Sequence, residues 1–519
     1  MIPDQTGTQG KIFHVPRGKA LGGSSAINFM LYCRPAAQDI DQWANQGILG
    51  WSWDQLVPYY RKSNSIQGDD WTELLGSQEN CPISLSLPRT KHALEDRLVD
   101  AFEHITNLTR ANRPWDGEIV GAYRLLSTIV GNETGDGQPR RAYAASGYLQ
   151  PILHRRNLHV LTETIACKVL LDRSSSHPVA RGLRLWHQGA FYEVTAQRET
   201  IISAGSVKSP QLLELSGIGD PEVLSAAGID CIHPLPDVGQ HLSDHPYTTV
   251  TYAVAPDPSA TNSRCQDRDQ HRQSDSIDTA SAFRGPWSHC AFVSSDKLAS
   301  PLPRSPDQPE RRMECRSQNS PAIQLLGVGA FLNPGVNGAD YSPASEDRPA
   351  CYTYMVSVTH PRSRGSCHVR CADPLAAPAL DIGLLSSTDD VDMLVSGVSL
   401  ADRIFQRAGL SPSRRLVPPP EVNIGNEAQA RSFIRGATNT FHHLAGTCGM
   451  GRVVEERLRV RGIFRLRVVD ASVIPTQISG NIMATVYAIA ERAADFILED
   501  EGRNFRMSNC GSASTPRSL

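Results

Sequence analysis

The stretch that decides the fold is Glu199-Thr200-Ile201-Ile202-Ser203-Ala204 followed by Gly205-Ser206-Val207-Lys208-Ser209-Pro210-Gln211-Leu212-Leu213-Glu214-Leu215-Ser216-Gly217-Ile218-Gly219. The first six residues are rich in branched side chains and read as a strand. Gly205 then turns the chain, and the apolar run beyond it reads as a short helix with Ser209 as N-cap, Pro210 in the first turn and Gly217 as the stop. A strand that passes through a glycine turn into a capped helix is a building unit of α/β domains. Gly217-Ile218-Gly219 resembles the start of a dinucleotide fingerprint. The third glycine is missing and a helix precedes it, which excludes that reading.

Working outward, residues 158–161 and 166–171 read as two further strands. Nearer the N-terminus, Arg17-Gly18-Lys19-Ala20-Leu21-Gly22-Gly23-Ser24-Ser25-Ala26-Ile27-Asn28 places glycines and serines ahead of an apolar run, a small-residue turn opening a buried helix. Such a turn lets a backbone approach a flat or anionic ligand with its amides free to donate; taken alone it reads equally well as an ordinary tight turn. Residues 51–63 read as a surface helix and residues 138–153 as another. Residues 256–319 are dominated by Ser, Asp, Arg, Gln and Pro and read as a long mobile insertion. Strands are expected at 353–358 and 365–369. A helix is expected at 388–406, on the period of Val391, Leu394, Val395, Val398, Ile404 and Phe405, and an Ala-rich helix at 481–498. A disordered polar tail should follow Glu499.

With 519 residues the chain exceeds what one core usually serves, so two packed domains are expected. A net charge of -3 with 20% charged residues points to neither a nucleic-acid nor an acidic partner. No run approaches the ~20 apolar residues of a membrane span. The 12 cysteines are scattered, which argues against a disulfide scaffold.

The C-terminal third carries the chemistry: Thr440-Phe441-His442-His443-Leu444-Ala445-Gly446-Thr447-Cys448-Gly449-Met450-Gly451, then Leu466-Arg467-Val468-Val469-Asp470-Ala471, then Ser479-Gly480-Asn481-Ile482-Met483. A near-neutral imidazole suits proton transfer, and a second polar donor can steady an oxygen on which negative charge develops. Metal and hydrolase readings fail. His241 and His245 are spaced like zinc ligands but lack the intervening Glu and run into Pro246. Cys367 and Cys371 would lie ~13 Å apart on a strand. Gly397-Val398-Ser399-Leu400-Ala401 sits in a helical run and lacks the last glycine. No metal is expected.

Three of these runs together resemble the glucose-methanol-choline (GMC) oxidoreductases: the Gly22-Gly23 run with Arg34-Pro35 after it, the stretch from Gly205 to Gly219, and the His443 to Asn481 region. The resemblance extends from about residue 11 to residue 498, apart from the insertion. It implies an α/β fold: a discontinuous FAD-binding domain (1–50, 151–245, 431–499), a mainly helical region (51–150) and a substrate domain with an antiparallel sheet and helices (246–430).

It further implies that His443, rather than the neighbouring His442, is the catalytic base and Asn481 its partner. Gly22, Gly23, Ser24 and Asn28 would lie against FAD, with Met483 also contacting it, Asp470 and Ala471 at the pyrophosphate and ribityl chain, and Val169 at the adenine end through its backbone. Some members carry a covalent flavin on a histidine where this chain has Ile27, so dissociable FAD is expected. Val238-Gly239 through Asp244-His245 resembles a structural turn of the family. Leu444-Ala445 departs from the usual Pro-Val.

GMC proteins open with a βαβ unit bearing Gly-x-Gly-x-x-Gly, which this sequence lacks. Residues 1–10 correspond to the loop after that unit. The expectation is therefore either an incomplete version of a longer protein or a short product with impaired FAD binding. The leading reading is FAD-dependent oxidation of an alcohol in a small organic molecule by a monomer or homodimer. Its alternatives are a non-redox cyclase or dehydratase on the same scaffold and a flavin-free remnant. Substrate, electron acceptor, pathway (secondary metabolism among them) and compartment stay open.

Overall fold

The computed structural model describes residues 6–66, 81–87, 94–130, 140–254, 287–298, 320–333, 340–342 and 349–510. Its helices include α1 (Ala37–Asn45), α2 (Trp53–Ser63), α3 (Glu95–Thr106), α4 (Gly205–Leu215), α5 (Thr388–Arg407), α6 (Glu427–Ala437) and α7 (Met483–Cys510). The strands used below are β1 (Gly121–Arg124), β2 (Thr164–Asp172), β3 (Val179–His187), β4 (Ala190–Thr195), β5 (Thr200–Ile202), β6 (Pro246–Ala253), β7 (Trp287–Ser294), β8 (Pro321–Val328), β9 (Cys351–Val358), β10 (Arg415–Val417), β11 (Asn439–Thr440) and β12 (Leu466–Val468).

The largest sheet among the described residues runs β10-β6-β9-β8-β7-β1, with β11 as a third partner of β6, and every pairing is antiparallel. Both of its faces are covered, so β9 is buried along its whole length. The period of two still sorts its side chains. Tyr352, Tyr354, Val356 and Val358 pack with Val391, Leu394, Val395, Val398 and Phe405 of α5, whereas Met355 joins Tyr123, Phe292 and Leu326 in a second core. The second core continues into α1, α2 and α7 through Ile40, Trp43, Leu56, Tyr60 and Ala488. It is the side on which the candidate site lies.

A second body is built on the parallel pair β5 and β12, in register Thr200↔Leu466 to Ile202↔Val468. The antiparallel meander β2-β3-β4 and the helix α4 complete it. The mixed α/β class and the antiparallel sheet with helices are as the sequence implies.

Several local expectations are corrected. Residues 158–161 join no strand, and Val160 and Leu161 are exposed. The Gly22-Gly23 run opens only a single 3-10 turn, Gly23–Ala26, with no buried residue, because Gly22 and Gly23 both take positive φ. Residues 138–153 hold a short strand, Arg140–Arg141, then a π-helical turn, Ala145–Leu149, and a 3-10 turn, Gln150–Ile152, in place of one helix. α4 begins at Gly205, so Ser209 and Pro210 lie inside it and Ser209 is not the N-cap. The helix read at 51–63 is half-buried: Trp53, Leu56, Tyr60 and Ser63 pack inward. Part of the supposed insertion, β7, is a central strand of the largest sheet, where it pairs with β8 and β1; the rest of residues 256–319 falls largely outside the described residues. The last helix passes Glu499 and reaches Cys510, and residues 511–519 lie outside the described residues.

Candidate active site

The ladder between β6 and β11 builds the site. Pro246 pairs with Thr440 and Tyr247 with Asn439, and beyond them Ser243 and Ala445 exchange both backbone hydrogen bonds at 3.0 Å. His245 and His443 therefore sit on facing segments although 198 residues separate them. Asp244 fixes the backbone here. Its Oδ1 accepts from the N–H groups of His245 and His443, each at 2.8 Å, and its Oδ2 accepts from the Thr440 hydroxyl. His442 is in the left-handed region at φ 63 rather than extended.

The two imidazoles are perpendicular, with ring centroids 5.1 Å apart and Nδ1 facing Nδ1 at 2.8 Å. Phe441 stacks on His443 at 4.8 Å, and Gln477 Nε2 donates to the His443 carbonyl at 2.9 Å. On the far side of the ring, His443 Nε2 lies 3.3 Å from Asn481 Nδ2. Burial, then the neighbouring His245, His442 and Arg17, push His443 well below the ordinary imidazole range. It is thus neutral at neutral pH, the form in which an imidazole can take a proton. Burial also lowers His245 to about 4 and raises Asp244 to about 6.

Asn481 sits in a loop with two anchors. Its N–H donates to Cys33 Sγ at 3.0 Å, and the same sulfur lies 3.7 Å from Asn481 Oδ1. Burial raises the Cys33 thiol to about 12, so it keeps its proton and donates toward that oxygen. Earlier in the same loop Ser479 is held by Asp39 of α1, which accepts from Ser479 N at 2.7 Å, from the Ser479 hydroxyl, and from His360 Nε2 at 2.7 Å. Burial alone would raise that carboxyl, but His360 and Ser479 outweigh it and hold Asp39 below its usual range.

The candidates named from sequence fall into two groups. Asn28 Nδ2 lies 2.9 Å from Met483 Sδ, which puts the turn bearing Gly22, Gly23 and Ser24 beside the stretch that carries Asn481. Ser24 Oγ accepts from Gly18 N at 3.2 Å. Asp470 and Val169 lie at opposite ends of α4, a helix of 11 residues and so ~16 Å long. Asp470 accepts from Gly205 N at 2.9 Å and from Ser209 Oγ at 2.5 Å, and caps the 3-10 turn that starts at Ala471. Its carboxylate is committed to protein donors, so an anionic group here would have to meet backbone amides. Val169 is buried and its N–H donates to Ser216 Oγ at 2.8 Å. Asp244, His245, Cys33, Asp39 and Ser479 were missed as site residues; the legible traces were the Asp244-His245 turn and the place of Ser479 in the Ser479-Gly480-Asn481 run.

The ring end of the site fits a flavin. His442 Nδ1 and Gln477 Oε1 are buried without a partner among the described residues, a nitrogen and an acceptor flanking His443. A Cβ placed on Gly23 would meet nothing within 4 Å, and Ile27 and Phe29 beside it are exposed. A flat ring with apolar faces and a polar edge matches that lining. Groups of three or more metal-ligating side chains are absent among the described residues.

The chain matches the family models of GMC oxidoreductase over residues 5–247 and 361–490. It is 41% identical to a dehydrogenase, mpl7, of Monascus purpureus, over 97% of this chain and 87% of that protein. It is 30% identical to the alcohol dehydrogenase [acceptor] of Pseudomonas putida, over 93% of this chain and 82% of that protein. Among solved structures, pyridoxine 4-oxidase from Mesorbium loti superposes with a TM-score of 0.76 at 26% identity, covering 95% of this chain and 86% of that one. The protein is accordingly an FAD-dependent oxidoreductase of the GMC family, acting on alcohol-type substrates.

Proposed function

We propose that the chain oxidises an alcohol of a small organic molecule to the carbonyl, with His443 as the base and Asn481 as the donor that steadies the substrate oxygen. The names of the Monascus dehydrogenase and the Pseudomonas alcohol dehydrogenase support the reaction class. The observation that carries the assignment is the pairing of His443 Nε2 with Asn481 Nδ2 at 3.3 Å, on opposing loops that are each separately anchored. FAD, when bound, supplies the acceptor for the hydride of the carbinol carbon. The proton of the hydroxyl goes to His443 Nε2, and the Asn481 amide donates to the oxygen as negative charge grows on it. Gly22, Gly23, Ser24, Asn28 and Met483 would hold the ring. Ile27 offers no nucleophile, so the flavin is released when the protein is denatured.

Anaerobic mixing with a panel of alcohols tests this. His443→Ala should slow flavin bleaching by about 10³-fold or more; bleaching at the normal rate would remove His443 from the mechanism. The base must be unprotonated, and its affinity for protons is lowered, so kcat/KM should hold down to pH values below 6.5 before it falls.

A further inference from the structure

The hydrogen bonds around His245 all run in one direction. Its Nε2 lies 2.9 Å from the Thr359 carbonyl and 2.9 Å from the Ile478 carbonyl. Carbonyl oxygens only accept, so Nε2 must carry a proton. A neutral imidazole with a proton on Nε2 has a bare Nδ1, and this atom faces His443 Nδ1 at 2.8 Å. Two bare nitrogens cannot make that contact, so the proton between them belongs to His443 Nδ1. His443 Nε2 is then the bare nitrogen, and it is the one that Asn481 Nδ2 approaches. The orientation of the Asn481 amide agrees, because the Cys33 thiol lies on its oxygen side.

We propose that His245 is a positioning residue that fixes the tautomer of His443, so that the lone pair of the base points at the substrate side and not into the protein. This deepens the base assignment and rests on it. When His443 Nε2 takes the hydroxyl proton, His443 becomes an imidazolium that still donates from Nδ1 to His245, and no further proton moves. His245 does not compete for the charge: it is buried, and His360, which lies beyond it against Asp39, opposes a second positive charge. The other charged or titratable groups facing His443 are His442 and Arg17. The Asp244 carboxylate is on the backbone side, accepting from the His443 N–H.

The test has two arms. In histidine-labelled protein, 15N spectra of the ring nitrogens should show one histidine, missing in His443→Gln, with its proton on Nδ1 and a bare Nε2; this readout does not require turnover. In His245→Leu that histidine should change or mix tautomers. In His245→Asn, whose side-chain oxygen can stand where Nδ1 stood, it should keep the wild-type form. Both variants lose the bond to Thr359 and Ile478, so their difference isolates the acceptor and also guards against a folding defect in the leucine variant.

In the kinetic arm, His245→Leu should slow flavin reduction by about 10²-fold with KM little changed, and His245→Asn should recover most of the loss. A wild-type His443 with its proton on Nε2, or a His245→Leu variant with an unchanged tautomer, would overturn the proposal. Normal flavin reduction in His443→Ala together with the expected spectra would instead overturn the base assignment alone.

Discussion

Gly480 takes φ 77, and a Cβ there would stand 2.5 Å from Cys33 Sγ and 3.1 Å from the ring of Phe292. Both neighbours are buried, so neither can swing away, and the left-handed backbone adds its own penalty for any other residue. Gly480→Ala should therefore cost about 1–3 kcal/mol in urea unfolding and displace Asn481. Flavin reduction should slow more than substrate binding weakens, and Cys33→Ala in the same chain should relieve the collision but not the backbone strain. The Ser479-Gly480-Asn481 run was legible as a motif; that Gly480 is wedged between Cys33 and Phe292 was not, because those contacts span hundreds of residues.

Two facing segments, 243–247 and 439–445, hold both imidazoles, and Asp244 is the clamp between them. Removing its carboxylate leaves two backbone N–H groups and the Thr440 hydroxyl without that acceptor, so Asp244→Ala should destabilise by about 3 kcal/mol. Asp244→Asn, which keeps one oxygen, should cost less at neutral pH and show its effect in acid. His245 and His442 are lowered from 6.5 to about 4, so the unfolded chain binds their protons first and stability falls as pH drops through that window. Asp244 is raised from 3.8 to about 6, so the folded chain binds its proton first, and stability from this group rises over nearly the same window. The two slopes oppose each other. In Asp244→Asn only the histidine slope remains, and melting temperature should fall more steeply between pH 6 and 4 than in the wild type; an equal slope would refute the account.

At this scale the helix α5 was readable from its apolar period alone. Residues 158–161 have the composition of a strand and no partner, and β7 has a poor neighbourhood in sequence and partners on both sides. Pairing, which is non-local, decided both. The start of α4 was misjudged for a related reason: Asp470, 261 residues from Ser209, caps the helix at Gly205 and leaves Ser209 and Pro210 inside.

Across the whole molecule, α7 is tied to the body built on β5 and β12 by an ion network. Arg467, only 2% exposed, meets Glu199 at 2.6 Å and Asp500 at 2.5 Å, and Asp500 also meets Arg457 and Arg459. Asp500→Ala strips a carboxylate from three guanidinium groups, one of them buried, and should cost about 2 kcal/mol in urea unfolding. The network holds the Asp500 carboxyl below its ordinary range despite burial, so its contribution is present at neutral pH and is lost as pH falls through and below that range.

The sequence by itself determined the family signatures and the helices with a clear apolar period, which are set by side-chain type and spacing along the chain; the α/β class and the pairing of one histidine with one asparagine came through the resemblance those signatures carry. Only the tertiary structure decided that His245 stands behind His443, that Asp244 holds both, that Cys33 and Asp39 anchor the Asn481 loop, and that a strand inside a polar stretch completes the sheet. Each of these joins residues remote in the chain through hydrogen bonds and packing, and no spacing rule encodes contacts of that range.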